Sequence, residues 1–533
     1  MNQAFHIFRK DVRHFWKEII LSWGLLGLFV YQAAHKRGGS DAAYLGAGLF
    51  WQLSAEFVGL LLILSWWTLI VRLIHDESLA GDRQFWVTRP YRWPQLLAEK
   101  ILFIVLYINL PLLVGQVAIL KLTGFPALTY LGGLLTMQAT ITMIFLLPVF
   151  LLAVVSARFV QVIVAGFAAV LYLSVHSFMI EKIPNSSMQH AASVLDTLFT
   201  IIAICAVLTV IFLQYGRRQT LISRSIIGAT ALLMTLFAAI TPYESLIARE
   251  FPRTGENNPL RIALDTRTPE KPFIPPRPPR EQKTEKKISI AIPLLSSTSG
   301  ADIVAIRGMR FSFDLPKGRA WRSNWQGQYG IVLLPDSPEY ASFQIPKEIF
   351  NSMSSTSVDI KLELALALYR RGRNQWQIRA EDEDFPAPQL GICKGVQYPT
   401  QGFQCRAPLQ GPGLMLASVE SSQSTCPVSN EKSSEPAPNI TAYFWSLSET
   451  MGYGAIIDPI VDESIYFSPV NLKRTEDLSR ISPRICPGTQ IDFTSVEFVR
   501  HTSMIATLNS IRLRDYRQSG GSVGFGGAVL VAR

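Results

Sequence analysis

The chain has 533 residues, too many for one compact core, and this points to two or three units. Charged residues make up only 17% and mean hydropathy is +0.23, which argues against an ordinary soluble protein. The net charge of +10 does not indicate nucleic acid, because much of it sits on short loops between apolar runs and no basic stripe is interleaved with aromatics.

Residues 1–17 lack the early apolar core of a secretory signal. Phe5, Phe8, Val12, Phe15, Trp16 and Ile19 recur at steps of three and four, while Arg9, Lys10, Arg13 and Lys17 fall largely elsewhere. This predicts an in-plane amphipathic helix over 1–17, apolar side in lipid and basic side toward anionic headgroups. A transmembrane domain over 18–243 follows. About seven runs approach the 20 apolar residues that cross a bilayer, at roughly 18–34, 52–74, 101–121, 132–155, 159–180, 194–215 and 225–243. Only Ser156, Ala157 and Arg158 separate the fourth from the fifth, which predicts a tight helical hairpin. Pro148 predicts a kink in the fourth.

Lys and Arg on short loops set the orientation. Arg9, Lys10, Arg13 and Lys17, then Arg72, Arg83, Arg89, Arg92 and Lys100, then Arg158, then Arg217, Arg218 and Arg224 fall on one side. Only Lys36, Arg37, Lys121 and Lys182 fall on the other. The N-terminus is therefore expected in the cytoplasm, and everything after about residue 244 outside.

Between the second and third runs lies His75-Asp-Glu-Ser-Leu-Ala-Gly-Asp-Arg-Gln-Phe-Trp-Val-Thr-Arg-Pro-Tyr-Arg-Trp-Pro-Gln-Leu-Leu-Ala-Glu-Lys100. Asp76 and Glu77 favour the start of a short helix, and Pro90 and Pro94 stop it. In this loop and in the order of its spans, the chain over roughly residues 1–215 resembles ABC transporter permeases of the type-2 exporter class. It looks closest to their uncharacterised bacterial relatives. Glu77, Gly81, Phe85, Trp86, Thr88, Arg89, Pro90 and Lys100 fit that family's loop pattern. The resemblance implies that residues 76–90 dock on an ATPase as a coupling helix. It also implies a homodimer or heterodimer of permease subunits in a bacterial inner membrane. Two departures stand out: the family core has six spans, and this chain adds a seventh with a domain behind it.

The chain has no Gly-x-x-x-x-Gly-Lys-Ser/Thr loop, so the expected ATPase is a separate subunit and this chain is expected to carry neither enzyme activity nor cofactor. Polar residues within spans are candidate pathway groups, namely Glu56, Asn109 and Gln116, with Gln138 and Gln161 beside them. The neutral ones read first as hydrogen-bond glue between helices. Glu56 reads equally as interfacial or pathway-facing. Cys205, in the sixth run, reads as a buried small hydrophobe.

Residues 244–286 are expected to be a linker, extended and proline-rich over 252–286. From 287 to 533 the pattern turns to period two, with candidate strands at 288–292, 303–313, 329–334, 358–369, 375–379, 415–419, 440–447 and 491–499. The Gly-rich segment 520–527 and the Ala-Val-Leu-Val after it read as a final edge strand. This predicts a mostly β, sandwich-like extracytoplasmic domain, periplasmic or extracellular. Cys393, Cys405, Cys426 and Cys486 all fall there, an even count that suggests two disulfides. Three pairings are possible, and hairpin-like spacing favours Cys393 with Cys405 and Cys426 with Cys486. His501 is the only histidine there, too little for zinc and more in keeping with a packed residue than a catalytic base. The acidic run 381–384 reads as a solvated turn rather than a calcium loop.

The composite expectation is a multi-domain chain, a polytopic α-helical membrane domain plus a β domain, acting as an exporter permease. The competing reading is a membrane-anchored extracytoplasmic binding or sensing protein.

Overall fold

The computed structural model describes residues 2–35, 47–76, 93–181, 193–253, 260–265, 287–297, 302–315, 319–333, 339–354, 356–379, 385–387, 391–396, 401–408, 414–419, 439–444, 457–467 and 490–517. Its N-terminal part is helical and its C-terminal part is built of sheets. The chain is a membrane protein. Among the described residues, six helical stretches are long and apolar enough to cross a bilayer: 57–75, 93–122, 127–155, 159–179, 198–217 and 220–240.

Helix α1 (Asn2–His14) is followed by α2 (Trp16–His35), joined through Phe15, whose N–H donates to the carbonyl of Asp11. The expected first span coincides with α2, but Lys17, Glu18, Gln32 and His35 dilute its apolarity and it is not among the six. Its 20 residues still give a length of about 30 Å, and it packs between its neighbours with Ile19, Leu26, Phe29 and Ala33 buried. The second span is α3 (Ala47–His75).

The third span consists of α4 (Trp93–Ile104), a π turn (Val105–Asn109) and α5 (Leu110–Leu122). The fourth consists of a 3-10 turn (Ala127–Tyr130), α6 (Leu131–Ile141), a π turn (Thr142–Leu146) and α7 (Leu147–Val155). Both π turns have the same cause. Pro111 and Pro148 sit just beyond them, lack an N–H, and would press a ring on the carbonyl four residues back. An extra residue in the preceding turn relieves that crowding. The kink expected at Pro148 takes this form, and Pro111 produces its twin.

Helix α7 ends at Val155 and α8 (Phe159–Glu181) begins three residues later, the tight hairpin expected. Then come α9 (Ser193–Phe212) with a π turn (Leu213–Arg217), α10 (Thr220–Ile240) and the short α11 (Tyr243–Glu250). Cys205 on α9 is exposed, which corrects its expected burial: it faces the lipid side, where a small apolar thiol is equally at home. Part of the stretch read as a linker is structured too, as α11 and a strand at Arg261–Leu264. Residues 254–259 and 266–286 lie outside the described residues.

The strands are β1 (Arg261–Leu264), β2 (Lys287–Ser297), β3 (Asp302–Leu315), β4 (Arg319–Arg322), β5 (Gln326–Leu333), β6 (Glu339–Pro346), β7 (Ser357–Arg379), β8 (Phe385–Ala387), β9 (Gly391–Val396), β10 (Gln401–Pro408), β11 (Leu414–Val419), β12 (Asn439–Phe444), β13 (Ile460–Phe467) and β14 (Gln490–Arg512). They form three antiparallel sheets, ordered β1-β2-β6, β13-β10-β9-β8, and β12-β11-β14-β7-β3-β4 with β5 also on β3. The first and last share one core, in which Ile290, Ile292, Phe311, Phe343, Ile360 and Leu364 are buried. The period-two pattern expected for strand 358–369 holds as far as Glu363. Beyond it both faces are covered, because Ile247 and Phe251 of the α11 region and Trp325 pack on Ala365.

Two expected strands, 358–369 and 375–379, are one strand of 23 residues, β7, and 491–499 extends into the equally long β14. Arg370-Arg-Gly-Arg-Asn374 reads as a turn in sequence, but the register shifts there and pairing continues. Gly372 makes this possible, since a Cβ at that position would overlap Ser495 Oγ.

The last span meets the β domain through a polar joint. Arg310 on β3 donates to Glu244 of α11 (2.6 Å) and to Glu363 of β7, and its guanidinium lies 4.8 Å from the centre of the Trp325 ring. Arg322 also donates to Glu363, at 2.8 Å. Burial alone raises the Glu363 carboxyl, but hydrogen bonds and charge from Arg310 and Arg322 outweigh it and hold it below the usual range. Nearby, His501 Nδ1 lies 3.2 Å from Glu250 and packs against Phe251 and Phe498. Burial lowers the imidazole, Glu250 opposes that, and the charge of Arg307 adds to it. His501 is thus a packed residue at a joint.

Candidate functional site

Three features of the membrane half bear on function: a buried ion cluster, a polar seam, and a cap over one end of that seam.

The ion cluster lies near the start of the third span. Lys100 Nζ donates to Asp11 Oδ2 of α1 at 2.6 Å and stands 3.1 Å from Glu99 Oε2, and all three side chains are fully buried. Two acids thus surround one lysine in an apolar region. A buried charge is costly unless it is paired, so these groups hold one another in place. More exposed pairs surround them: Lys10 to Asp76 at 3.3 Å, and Arg72 to Glu18. Together they bind α1, the head of α2, the tail of α3 and α4 into one corner.

This corner corrects two expectations. The third span begins at Trp93 rather than 101, so Glu99 and Lys100 lie within it rather than in the loop before it. The apolar face of α1 also meets protein more than lipid. Ile7 and Phe15 are buried, and Phe8 and Phe15 contact Phe103 of the third span. The geometry requires this, because Asp11 reaches Lys100 only if α1 lies against α4.

The seam runs between the third and fourth spans. Asn109, last residue of one π turn, donates through Nδ2 to the hydroxyl of Thr142, first residue of the other, at 3.1 Å. Further along, Gln138 Nε2 donates to Gln116 Oε1 at 2.9 Å. Gln116 Nε2 donates to Met137 Sδ at 3.2 Å and to the carbonyl of Ile457 at 3.1 Å. Asn109, Gln116 and Gln138 therefore make the contacts between helices expected of them. The seam carries only neutral hydrogen-bonding groups among the described residues, placed beside two π turns. It can accommodate a neutral polar group or polarise a chain of such groups, but it offers no general acid or nucleophile. Gln161 serves its own hairpin, accepting from the N–H of Ala157 at 2.9 Å.

The cap comes from the β domain. Ile457 and Ile460 are buried in the same apolar core as Leu112, Ile119, Phe125 and Leu134, and Ile392 of β9 packs against that core. Cys393 on β9 stands directly across from Cys405 on β10.

Of the coupling-loop residues, only Lys100 falls within the described residues. Glu77, Gly81, Phe85, Trp86, Arg89 and Pro90 lie outside them, as do Cys426, Cys486, the acidic run 381–384 and the Gly-rich segment 520–527. Glu56 is on α3, but its side chain is also outside them. The residues that sequence reasoning passed over are Asp11, Glu99 and Ile457. Asp11 did leave a signal, as the only acid in a basic 17-residue stretch. Ile457 left none, since its partner Gln116 is 341 positions away.

No family model, curated protein or solved structure matches the chain.

Proposed function

We propose that this chain is the membrane-spanning permease subunit of an ATP-driven bacterial ABC exporter, driven by a separate ATPase through the cytoplasmic loop between α3 and α4. The observation that carries the proposal is the ion cluster. It ties together the helices on both sides of that loop, so a push on the loop reaches the third span and the seam as one rigid piece. A helix that only anchors a domain has no need of a charged clamp in lipid. In this reading α2 completes seven crossings. The N-terminus is cytoplasmic, the β domain lies outside the inner membrane, and two permease subunits, alike or different, form the pathway.

Affinity-purified full-length protein from its native host is expected to carry an ABC ATPase, and Glu77→Ala with Arg89→Ala to lower the captured ATP hydrolysis several-fold or more. Protein that captures no ATPase leaves the competing anchor reading standing. A specific contact favours that alternative: Gln116 bonded to Ile457 is a direct line from the β domain into the spans.

Opposition of Cys393 and Cys405 across adjacent antiparallel strands supports a disulfide between them, and hence an oxidising compartment. Non-reducing peptide mapping should recover them as one linked fragment. Because Cys393 is buried, labelling follows reduction in a mild denaturant that opens the β domain, and a membrane-impermeant maleimide should then reach both thiols only from outside the cell. Free thiols at both positions, or labelling only from the cytoplasm, would reverse the orientation.

A further inference from the structure

The turn that links the β domain to the seam is shaped before it docks. Ile460 N–H donates to Asp458 Oδ1 at 3.1 Å, which folds Ile457-Asp-Pro-Ile460 into a knob. Pro459 is buried, and Ile457 and Ile460 are only 5% and 3% exposed, inside the core of a helical domain to which they do not belong in sequence. Strands β13, β10 and β9 stand behind the knob as a sheet. Beside it, the positive φ of Gly124 (+88°) turns the chain next to Ile392, whose Cδ1 would lie in ordinary contact, 3.9 Å, with a Cβ there.

The polar part of the seat is only half used. Gln116 donates to the carbonyl of Ile457, while Gln138, 8% exposed, keeps its Oε1 without a hydrogen-bond donor among the described residues. One donor and one waiting acceptor, side by side and walled by apolar residues, match the C=O and N–H of an amide. Among the described residues a charged group would find no counter-charge there, and a pure hydrocarbon would leave the Gln138 Oε1 acceptor, and one donor of Gln116 once the knob is out, without a partner.

We infer that this end of the α5–α6 seam is a binding seat for an apolar, amide-bearing chain of peptide type, and that Ile457–Ile460 occupies it here as an internal plug. A ligand of that class competes with the plug, and the seam is closed on the β-domain side while the plug is in. The inference rests on the seam and not on an ATPase, so it can stand or fall independently of the exporter reading.

The test uses full-length protein in membrane vesicles, with Cys205→Ser and a reporter Met137→Cys beside Gln116. An impermeant maleimide is applied from the β-domain side. Ile457→Ser with Ile460→Ser is expected to raise the labelling rate about tenfold or more, and N-acetyl-Ile-Asp-Pro-Ile-amide in excess to bring it back toward the parent rate. An unchanged rate in the double variant overturns the plug. A raised rate that the peptide does not suppress overturns the seat as an amide site. In case the double variant does not fold, Gln116→Cys with Ile457→Cys is expected to be bridged by a short bifunctional thiol reagent, because a side-chain amide bonded to a backbone carbonyl brings the two positions near without setting disulfide geometry. Failure to cross-link also overturns the plug.

Discussion

Lys100→Met should destabilise the protein by about 3–5 kcal/mol, because it leaves buried Glu99 without its cation and buried Asp11 with only the half-exposed Lys10 Nζ at 3.8 Å. The loss should appear as a lower thermal midpoint in detergent and as release of α1 from the third span, read by protease access near residue 14. The same argument predicts recovery. When Asp11→Asn and Glu99→Gln accompany Lys100→Met, the site is neutral and of similar shape, and most of the lost stability should return. A single Lys100→Met protein as stable as the parent would show that the corner is held by packing alone. A triple variant no better than the single would show that the charges have a further role.

The second large effect concerns acid and the joint below the β domain. Arg310→Met removes the group that joins Glu244, Glu363 and Trp325, and is expected to cost the β domain about 2–3 kcal/mol at neutral pH. The pH dependence has two parts of the same sign. The folded state lowers the Glu363 carboxyl, so its contribution is present above the ordinary value of 4.5 and disappears as pH falls through the lower folded value. His501 is also lowered in the fold, which then binds fewer protons than the unfolded chain. Stability is therefore full above 6.5 and declines as pH falls below it. Acidification should weaken the joint first through His501 and then through Glu363. His501→Phe should abolish the first step and Arg310→Met the second, as read by thermal unfolding across the acid range. Persistence of both steps in His501→Phe would remove the histidine from this account.

The membrane half was largely readable because lipid imposes a coarse rule: about 20 apolar residues, with charge at the ends. The rule misled where charges cancel. Glu99 and Lys100 read as the end of a loop, since one sequence cannot show that Asp11, 89 positions earlier, pairs with Lys100. Pro148 announced its π turn, and Pro111 carried the same signal. In the β half, period-two alternation located the strands but not their lengths. Arg370-Arg-Gly-Arg-Asn374 has the composition of a turn, and only the partner strand, with Ser495 opposite Gly372, keeps it extended. The seam was half legible. Asn109, Gln116 and Gln138 stand out as polar residues in apolar runs, but their pairing and the knob above them depend on tertiary distance.

The paired strands β7 and β14 also have a mechanical consequence. The α11 region grips this ribbon at His501, and the ribbon runs on to Gln490, eleven residues or about 35 Å away, where β11 and then β12 lie beside it and β12 in turn meets the plug-bearing β13. It is therefore a lever with its pivot at the exit of the last span. A tilt of about 5° at the pivot moves the tip by about 3 Å, the length of the bond between Gln116 and Ile457. If the strands move as one piece, rocking of the last helix by that angle shifts the knob by the length of the contact that seats it.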